Sequence, residues 1–171
     1  EHPRIEGFDI AGICRPATHV GGDFFQYFPL PDGRLVLAMA DVTGHGMEAA
    51  IPTVLFSGIL DNQMENASSL DELFSRLNRS LCRTLNRRTF VCFAMGELDP
   101  ISGRVRITNG GCPYPYHYRA CTGAVEEVRL DAFPLGLRPE AEYTVAEVYQ
   151  IRGWLLLPAL HIPKFEPQRE E

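Results

Sequence analysis

The chain has 171 residues, the size of one domain, because folded domains cluster near roughly 100–150 residues and rarely split below about 250. Its composition is 45% apolar and only 22% charged, which excludes disorder over most of its length. Sixteen Lys and Arg against 22 Asp and Glu leave a net charge of −6. This balance does not favour a nucleic-acid or anionic-membrane partner and suits a cation better.

The five cysteines are scattered and never spaced as CxxC, so we expect reduced thiols rather than a zinc site or a redox pair. No apolar run approaches the roughly 18 residues of a membrane span, and the first residues lack the segments of a signal peptide. These features predict a cytoplasmic protein with no membrane segment in this chain.

The first half of the chain reads as strands followed by helices. Residues 7–17 alternate enough to predict a strand, and the aromatic residues 23–28 predict a second. The PDG sequence at residues 31–33 predicts a tight turn, because Pro fixes φ and Gly accepts the left-handed conformation. It would join the second strand to residues 34–40 in a hairpin, with Asp41 at the end.

Two helices should follow the hairpin. Apolar residues recur at helical spacing over residues 47–64, which predicts a mostly buried helix. Ser69 and Glu72 have the spacing of a capping box, so a second amphipathic helix should begin there and end near residues 87–88.

The remainder reads as further strands, over residues 90–98, 104–108, 115–119, 125–130 and 143–151. Two adjacent helices inserted in a meander of strands predict an α+β domain with antiparallel sheets. We assign residues 1–160 to this domain and expect the polar residues 161–171, which include two prolines, to form an unpacked tail.

The most informative stretch is ADVTGHGM, residues 40–47, in which a strand ends in a carboxylate and a glycine turn leads into a helix. One interpretation is structural, with Asp41 accepting hydrogen bonds from the amides of the turn. The other makes Asp41 a hard oxygen ligand for Mg²⁺ or Mn²⁺.

A second carboxylate strengthens the metal interpretation. In VGGD, residues 20–23, paired glycines place Asp23 at the start of a strand. Antiparallel pairing across the hairpin would return Asp41 to the side of Asp23. Two carboxylates that meet in this way repel each other unless a cation lies between them or one is protonated. We therefore favour a metal site over two solvated aspartates.

Several segments, taken in chain order, resemble the motifs of one known family, the SpoIIE/RsbU branch of the metal-dependent (PPM) Ser/Thr protein phosphatases. Together they cover residues 5 to about 157. The segments are RPA (15–17), VGGDFF (20–25), ADVTGHGMEAA (40–50), LNRSL (77–81), LDP with the following Gly103, NGGCP (109–113) and FPLGL (133–137).

The resemblance implies an α-β-β-α sandwich of two antiparallel sheets flanked by helices, with a two-metal centre at one edge. It implies that Asp41 bridges two Mn²⁺ or Mg²⁺ ions and that the Val42 carbonyl binds one of them. Asp23 would bind on the same side of the site, directly or through a water molecule. A water shared by ions about 3.5–4 Å apart would attack phosphorus without a covalent intermediate. The implied substrate is a phosphoserine or phosphothreonine on an anti-sigma-factor antagonist or a related partner-switching protein.

The glycine turn of residues Gly44, His45 and Gly46 would support the loop or contact the substrate, with plain loop packing as the alternative for the histidine. Three further cationic side chains could meet a phosphate, although solvation or local hydrogen bonding is the simpler explanation for each of them: Arg15, His19 and Arg119.

The C-terminal end departs from the family. Its remaining metal ligands are two aspartates, one in an Asp-Gly turn after an apolar strand, whereas PALH occupies residues 158–161 here and no aspartate follows Asp131. A degenerate phosphatase, a shortened catalytic domain and a coding-frame change after Leu157 all remain open. We accordingly expect incomplete C-terminal elements and one metal ion, or none, instead of two.

Two functions follow from these observations. The first is a metal-dependent protein serine/threonine phosphatase domain of bacterial signalling. The second is a catalytically inactive pseudophosphatase that acts as a protein-interaction module. We also expect a homodimer, because the apolar strand at residues 154–157 would leave a sheet edge open to pairing.

Overall fold

The computed structural model describes residues 3–14, 21–65, 69–149 and 153–157. Within these residues the chain forms eight strands and two helices. The strands are β1 Asp23–Pro29, β2 Leu35–Val42, β3 Val91–Asp99, β4 Arg104–Gly110, β5 Tyr116–Arg119, β6 Ala124–Glu127, β7 Ala146–Tyr149 and β8 Gly153–Leu156, and the helices are α1 Met47–Met64 and α2 Leu70–Thr84.

The β1–β2 hairpin forms as predicted. Gly33 adopts a φ of 86°, and its amide donates to the Leu30 carbonyl at 3.0 Å. The Leu30 amide in turn donates to the Arg34 carbonyl at 2.8 Å, and an Asp32 carboxylate oxygen accepts from the Arg34 amide. This turn closes the antiparallel ladder that runs to the pair formed by Asp23 and Asp41.

The strands form two antiparallel sheets, which confirms the predicted α+β class. The larger sheet has the order β1-β2-β3-β4-β7 and the smaller one the order β6-β5-β8. One face of the larger sheet carries a buried cluster with Leu98, Val105 and Ile107, against which Leu155 of β8 packs. The cluster therefore joins the two sheets.

Both helices belong to the main core, which lies on the other face of the larger sheet. Phe93 of β3 lies between two helix residues, with ring centroids 4.9 Å from both Phe56 and Phe74. The hydroxyl of Ser69 accepts from the Glu72 amide and caps α2, as the sequence predicts. The helix ends at Thr84, before the predicted position, because the backbone of Leu85 adopts an extended conformation with a ψ of 155°.

Helix α1 has the predicted bounds, but the prediction that it is mostly buried is wrong. Only Ala49, Phe56 and Leu60 are buried. A line of larger residues faces away from the core, and the exposed fractions are 67% for Met47, 70% for Ile51 and 74% for Val54. The helix is apolar around most of its circumference, so its periodicity could not reveal which side meets the sheet.

The predicted strand at residues 7–17 is also wrong over its described part, residues 7–14. Only one isolated bridge forms, between Ile5 and Phe8, across a turn in which Gly7 has a φ of 82°. Phe8 and Ile10 pack against the cluster between the sheets. Their apolar character therefore reflects packing of an irregular segment and not a ladder.

Two later strands are shorter than predicted, since β6 ends at Glu127 and β7 begins at Ala146. Several expectations lie outside the described residues: the roles of Arg15 and His19, the sequence at residues 158–161, and the tail at 161–171. Within the described part of the chain, none of the helices combines the length and the apolar character needed to cross a membrane.

The buried side-chain amide of Asn78 on α2 holds the loop around residues 136–139 in place. Asn78 is 1% exposed. Its Nδ2 donates to the carbonyls of Arg138 at 2.8 Å and Pro139 at 3.3 Å, and its Oδ1 accepts from the Gly136 amide at 2.8 Å. One side chain thus satisfies three main-chain groups of the loop.

Replacing this amide should destabilise the fold. We expect Asn78→Ala to lower the free energy of unfolding by about 2–3 kcal/mol, because three loop groups lose their partner. Denaturant unfolding measures the change, with Arg79→Ala on the adjacent exposed position as the control. An effect equal to that of the control would show that the loop does not depend on Asn78.

A buried histidine lies on β5. His117 is 2% exposed, and its Nδ1 has no hydrogen-bond partner among the described residues. Burial and the charge of Arg119 lower the pKa of His117 from its usual 6.5, and a hydrogen bond to the main chain of Tyr149 and the charge of Glu126 oppose this only in part. The fold therefore favours the neutral imidazole.

This preference predicts a pH dependence of stability. Because the folded pKa of His117 is lowered, the unfolded chain binds the extra proton more readily, so stability is complete above about pH 6.5 and falls as the pH drops below it. His117→Gln should lose less stability than the wild type between about pH 7.5 and 5.5 in urea titrations. Equal slopes for His117→Gln and the wild type would contradict the assignment.

Candidate metal centre

The two predicted carboxylates meet at the open end of the hairpin. Asp23 and Asp41 are direct partners in the β1–β2 ladder, and side chains directly opposite each other in such a ladder have Cβ atoms about 4.5–5.5 Å apart. Oδ1 of Asp23 is buried and has no hydrogen-bond partner in the described part of the chain. A buried, unpartnered carboxylate oxygen beside a second carboxylate is the arrangement that a cation would satisfy.

The backbone beside this pair is tightly packed. The Val42 amide donates to the Gly22 carbonyl at 3.1 Å. A Cβ added to Gly22 would lie 2.3 Å from the Val42 carbonyl oxygen, so only glycine fits here. The Thr53 hydroxyl of α1 lies 3.3 Å from the same Gly22 carbonyl and 2.8 Å from the Ala49 carbonyl, so it can donate to either one. Gly22 therefore brings Val42 close to the start of β1.

Hydrogen bonds that the sequence did not predict hold the end of β2. The Thr43 amide and hydroxyl both donate to the Phe90 carbonyl at 3.1 Å, and the Phe90 amide donates back to the hydroxyl at 2.9 Å. Val91 exchanges two backbone hydrogen bonds with Leu135. The only signal in the sequence is the position of Thr43 directly after the Asp-Val pair.

Three cysteines near the carboxylates have raised pKa values. Burial, and then the charge of Asp41, raise the pKa of Cys92 to about 11. The pKa of Cys112 is raised by burial, then by Cys92 and by the two carboxylates. Burial and the charge of Asp23 also raise the pKa of Cys14. The neighbourhood thus offers hard oxygen ligands rather than thiolates.

The glycine turn connects the carboxylates to α1. Gly44 and Gly46 have φ values of 112° and 57°, in the region that favours glycine. His45 between them is exposed. Gly46 is the N-cap of α1 and offers no side-chain cap, which leaves the first amides of the helix open to other partners.

The residues present fit a cation only in part. Asp23, Asp41 and the Val42 carbonyl are together at one end of the hairpin. Within the described ranges, however, no group of three or more His, Cys, Asp or Glu side chains could hold a metal ion. Arg119, a candidate for phosphate binding, has its Nε 2.8 Å from Glu126 and forms a local ion pair instead.

The contact between Gly22 and Val42 predicts a sharp mutational effect. Gly22→Ala should lower the free energy of unfolding by at least about 2 kcal/mol, because its Cβ overlaps a backbone oxygen that cannot move aside. Gly96→Ala is the matched control within β3, since its Cβ would approach nothing closer than 3.6 Å. Thermal or urea unfolding of both variants gives the comparison, and a stable Gly22→Ala protein would refute the close approach.

The family model described as Stage II sporulation protein E (SpoIIE) matches residues 31–157. The chain is 19% identical over 155 residues to phosphoserine phosphatase RsbU of Bacillus subtilis, covering 91% of this chain and 46% of RsbU. It is 24% identical over 153 residues to phosphoserine phosphatase RsbP of the same species, covering 86% and 38%. The chain therefore spans less than half the length of these curated relatives.

Among solved structures, the fold is similar to the RsbU and RsbW domains of a Mycobacterium tuberculosis protein. That likeness has a TM-score of 0.67 and 28% identity, and it covers 81% of this chain and 38% of the other. The sequence resemblance and the predicted fold class are both confirmed. Because the family model extends over well more than half of the chain, this protein belongs to the SpoIIE family, with the RsbU-like PPM phosphatase fold.

Proposed function

We propose that this chain is a phosphatase domain of bacterial signalling, which uses a divalent cation to hydrolyse phosphoserine or phosphothreonine on a partner-switching protein. The observation that carries the proposal is the direct cross-strand pairing of Asp23 with Asp41, together with the buried, unpartnered oxygen of Asp23. Membership of a family whose relatives include two phosphoserine phosphatases supports the substrate class.

Each residue of the site has a proposed part. Asp41, Asp23 and the Val42 carbonyl would hold Mn²⁺ or Mg²⁺ as oxygen ligands. Bound divalent ions would lower the pKa of a water molecule and neutralise charge on the phosphoryl oxygens. Gly22 keeps the Val42 carbonyl close to β1.

The glycine turn supplies the proposed contact with the substrate. His45 is exposed in the loop that follows Asp41, and the first amides of α1 have no side-chain cap. Backbone amides at a helix N-terminus favour phosphoryl oxygens, because they donate hydrogen bonds at the positive end of the helix dipole. Gly44 and Gly46 would let the loop adopt the backbone angles that this requires.

A second function, a catalytically inactive interaction module, has its own support. The described residues contain no group of three or more His, Cys, Asp or Glu side chains that could hold a metal ion. Two-metal activation needs ligands for both ions. A chain that holds one cation, or none, would bind a phosphoprotein without hydrolysing it.

Hydrolysis of a phosphoserine peptide at millimolar Mn²⁺ separates the two functions. We expect turnover that Asp41→Asn lowers by at least about 100-fold, because the change removes a carboxylate that would hold the cation. Asp32→Asn, at the exposed opposite end of the same hairpin, should keep wild-type activity. Isothermal titration with Mn²⁺ should give binding that Asp41→Asn weakens.

The outcomes are distinct. A folded chain that binds Mn²⁺ but shows no turnover would be the interaction module. A folded chain that neither binds Mn²⁺ nor turns over substrate would refute the metal site altogether. Equal turnover by the wild type and Asp41→Asn would refute the assignment of the ligand.

A further inference from the structure

A pocket lies at the base of the β5–β6 hairpin, between the residues that lead into β5 and those that follow β6. Its volume is about 330 Å³, and its lining includes Cys112, Tyr114, Tyr116, Glu127, Leu130 and Asp131. Ligand pockets commonly measure roughly 300–1,000 Å³. This one is at the lower end of that range, so it has room for a single long side chain rather than for a large molecule.

The described residues that line this pocket include two carboxylates but no lysine, arginine or histidine. Oδ1 of Asp131 accepts a hydrogen bond from the Tyr114 hydroxyl, whereas no described residue donates to Oδ2. Oε2 of Glu127 accepts from Arg129, whereas Oε1 has no donor among the described residues. Each carboxylate therefore keeps one oxygen that could accept a hydrogen bond from a bound group.

Apolar walls lie beside these oxygens. Two tyrosine rings, Tyr114 and Tyr116, line the pocket together with Pro113, Leu130 and Ala132. Lysine and arginine bury their aliphatic stems along apolar surface and keep the charged head at a polar edge, and their cations also pack on the faces of tyrosine rings. The pocket therefore fits a basic side chain better than an acidic or a purely apolar one.

The neighbouring Arg129 shows that these walls attract a guanidinium group. Its Cζ lies 6.0 Å from the centroid of the Tyr114 ring, and its Nη2 lies 3.1 Å from Oε2 of Glu127. The Arg129 side chain is 74% exposed, and ion pairs this exposed are weak. An incoming basic side chain would therefore meet little competition from Arg129, and it could use the other oxygen of Glu127.

The pocket shares a wall with the candidate metal centre. Cys92 pairs directly with Asp41 across the β2–β3 ladder, and Cys92 and Cys112 belong to one buried cluster. Cys112 also lines the pocket. Its amide donates to Oδ1 of Asn109 at 2.9 Å, and its carbonyl accepts from Nδ2 of the same residue at 2.8 Å, which holds this wall in place. The pocket therefore lies within a few residues' reach of a peptide bound at the carboxylates.

We propose that this pocket binds a lysine or arginine side chain of the phosphoprotein substrate, close in sequence to the phosphorylated residue. The proposal rests on the proposed phosphatase function, since it names a feature of the substrate on which the same site would act. Glu127 and Asp131 determine specificity and take no part in metal binding or hydrolysis. The pocket therefore selects among phosphoproteins.

A set of phosphoserine peptides tests the proposal. A single arginine is placed in turn at each position that flanks the phosphoserine, and the peptide with alanine at that position is the reference. Fluorescence anisotropy of the labelled peptides with the full chain in millimolar Mn²⁺ gives Kd, and phosphate release gives kcat and KM. We expect one position at which arginine lowers Kd and KM by about fivefold. The double variant Glu127→Gln, Asp131→Asn should abolish this preference.

Two further variants make the test specific. Glu126→Gln is the matched control, because it removes a carboxylate from the adjacent position of β6, which does not line the pocket. It should keep the preference for arginine. Asp131→Lys should reverse the preference in favour of glutamate at the same peptide position, because the introduced cation repels arginine. Circular dichroism confirms that the variants fold.

The outcomes separate this proposal from the phosphatase function. Equal affinity for the arginine and alanine peptides at every position would overturn it, and so would a preference that survives the double variant. A chain that binds none of the peptides would overturn it as well. Absence of turnover with every peptide would refute the phosphatase function alone, and the affinities would still decide whether the pocket binds a basic side chain.

Discussion

The register of the β1–β2 hairpin is the constraint on which the candidate site depends. The position of the turn at Gly33 determines which residues of β1 and β2 pair with each other, and in this register Asp23 lies opposite Asp41. A slip by one residue would send one carboxylate to the helix-covered face, since side chains alternate along a strand. The tight turn and the buried alternation of β2 therefore fix the distance between two like charges that would otherwise separate.

Much of this arrangement could be predicted from the sequence. The turn signal between two strands gave the hairpin and the meeting of Asp23 with Asp41, and the capping spacing gave the start of α2. These features are local, so neighbouring residues determine them. The unpaired segment at residues 7–14 and the exposed side of α1 could not be predicted in this way, because packing against distant residues decides both.

The site also shows why residue type alone is a weak guide to a ligand. Cys92 and Cys112 lie near the carboxylates and would bind soft metals as thiolates, but burial and the negative charge of Asp41 keep them protonated. Burial and, after it, the neighbouring carboxylates therefore disfavour the thiolate forms at this end of the hairpin, and this effect depends on tertiary proximity that no spacing in the sequence reveals.

The backbone hydrogen bonds between Leu135 and Val91 affect which parts of the fold can unfold locally. The loop of residues 134–139 forms no strand, yet its hydrogen bonds go to β3 through Leu135 and to α2 through Asn78. Amide hydrogens of Leu135 and Gly136 can then exchange with solvent only when the loop separates from these core elements. This loop therefore belongs to the same cooperative unit as the sheet, and the end of β3 beside Asp41 is kept from fraying.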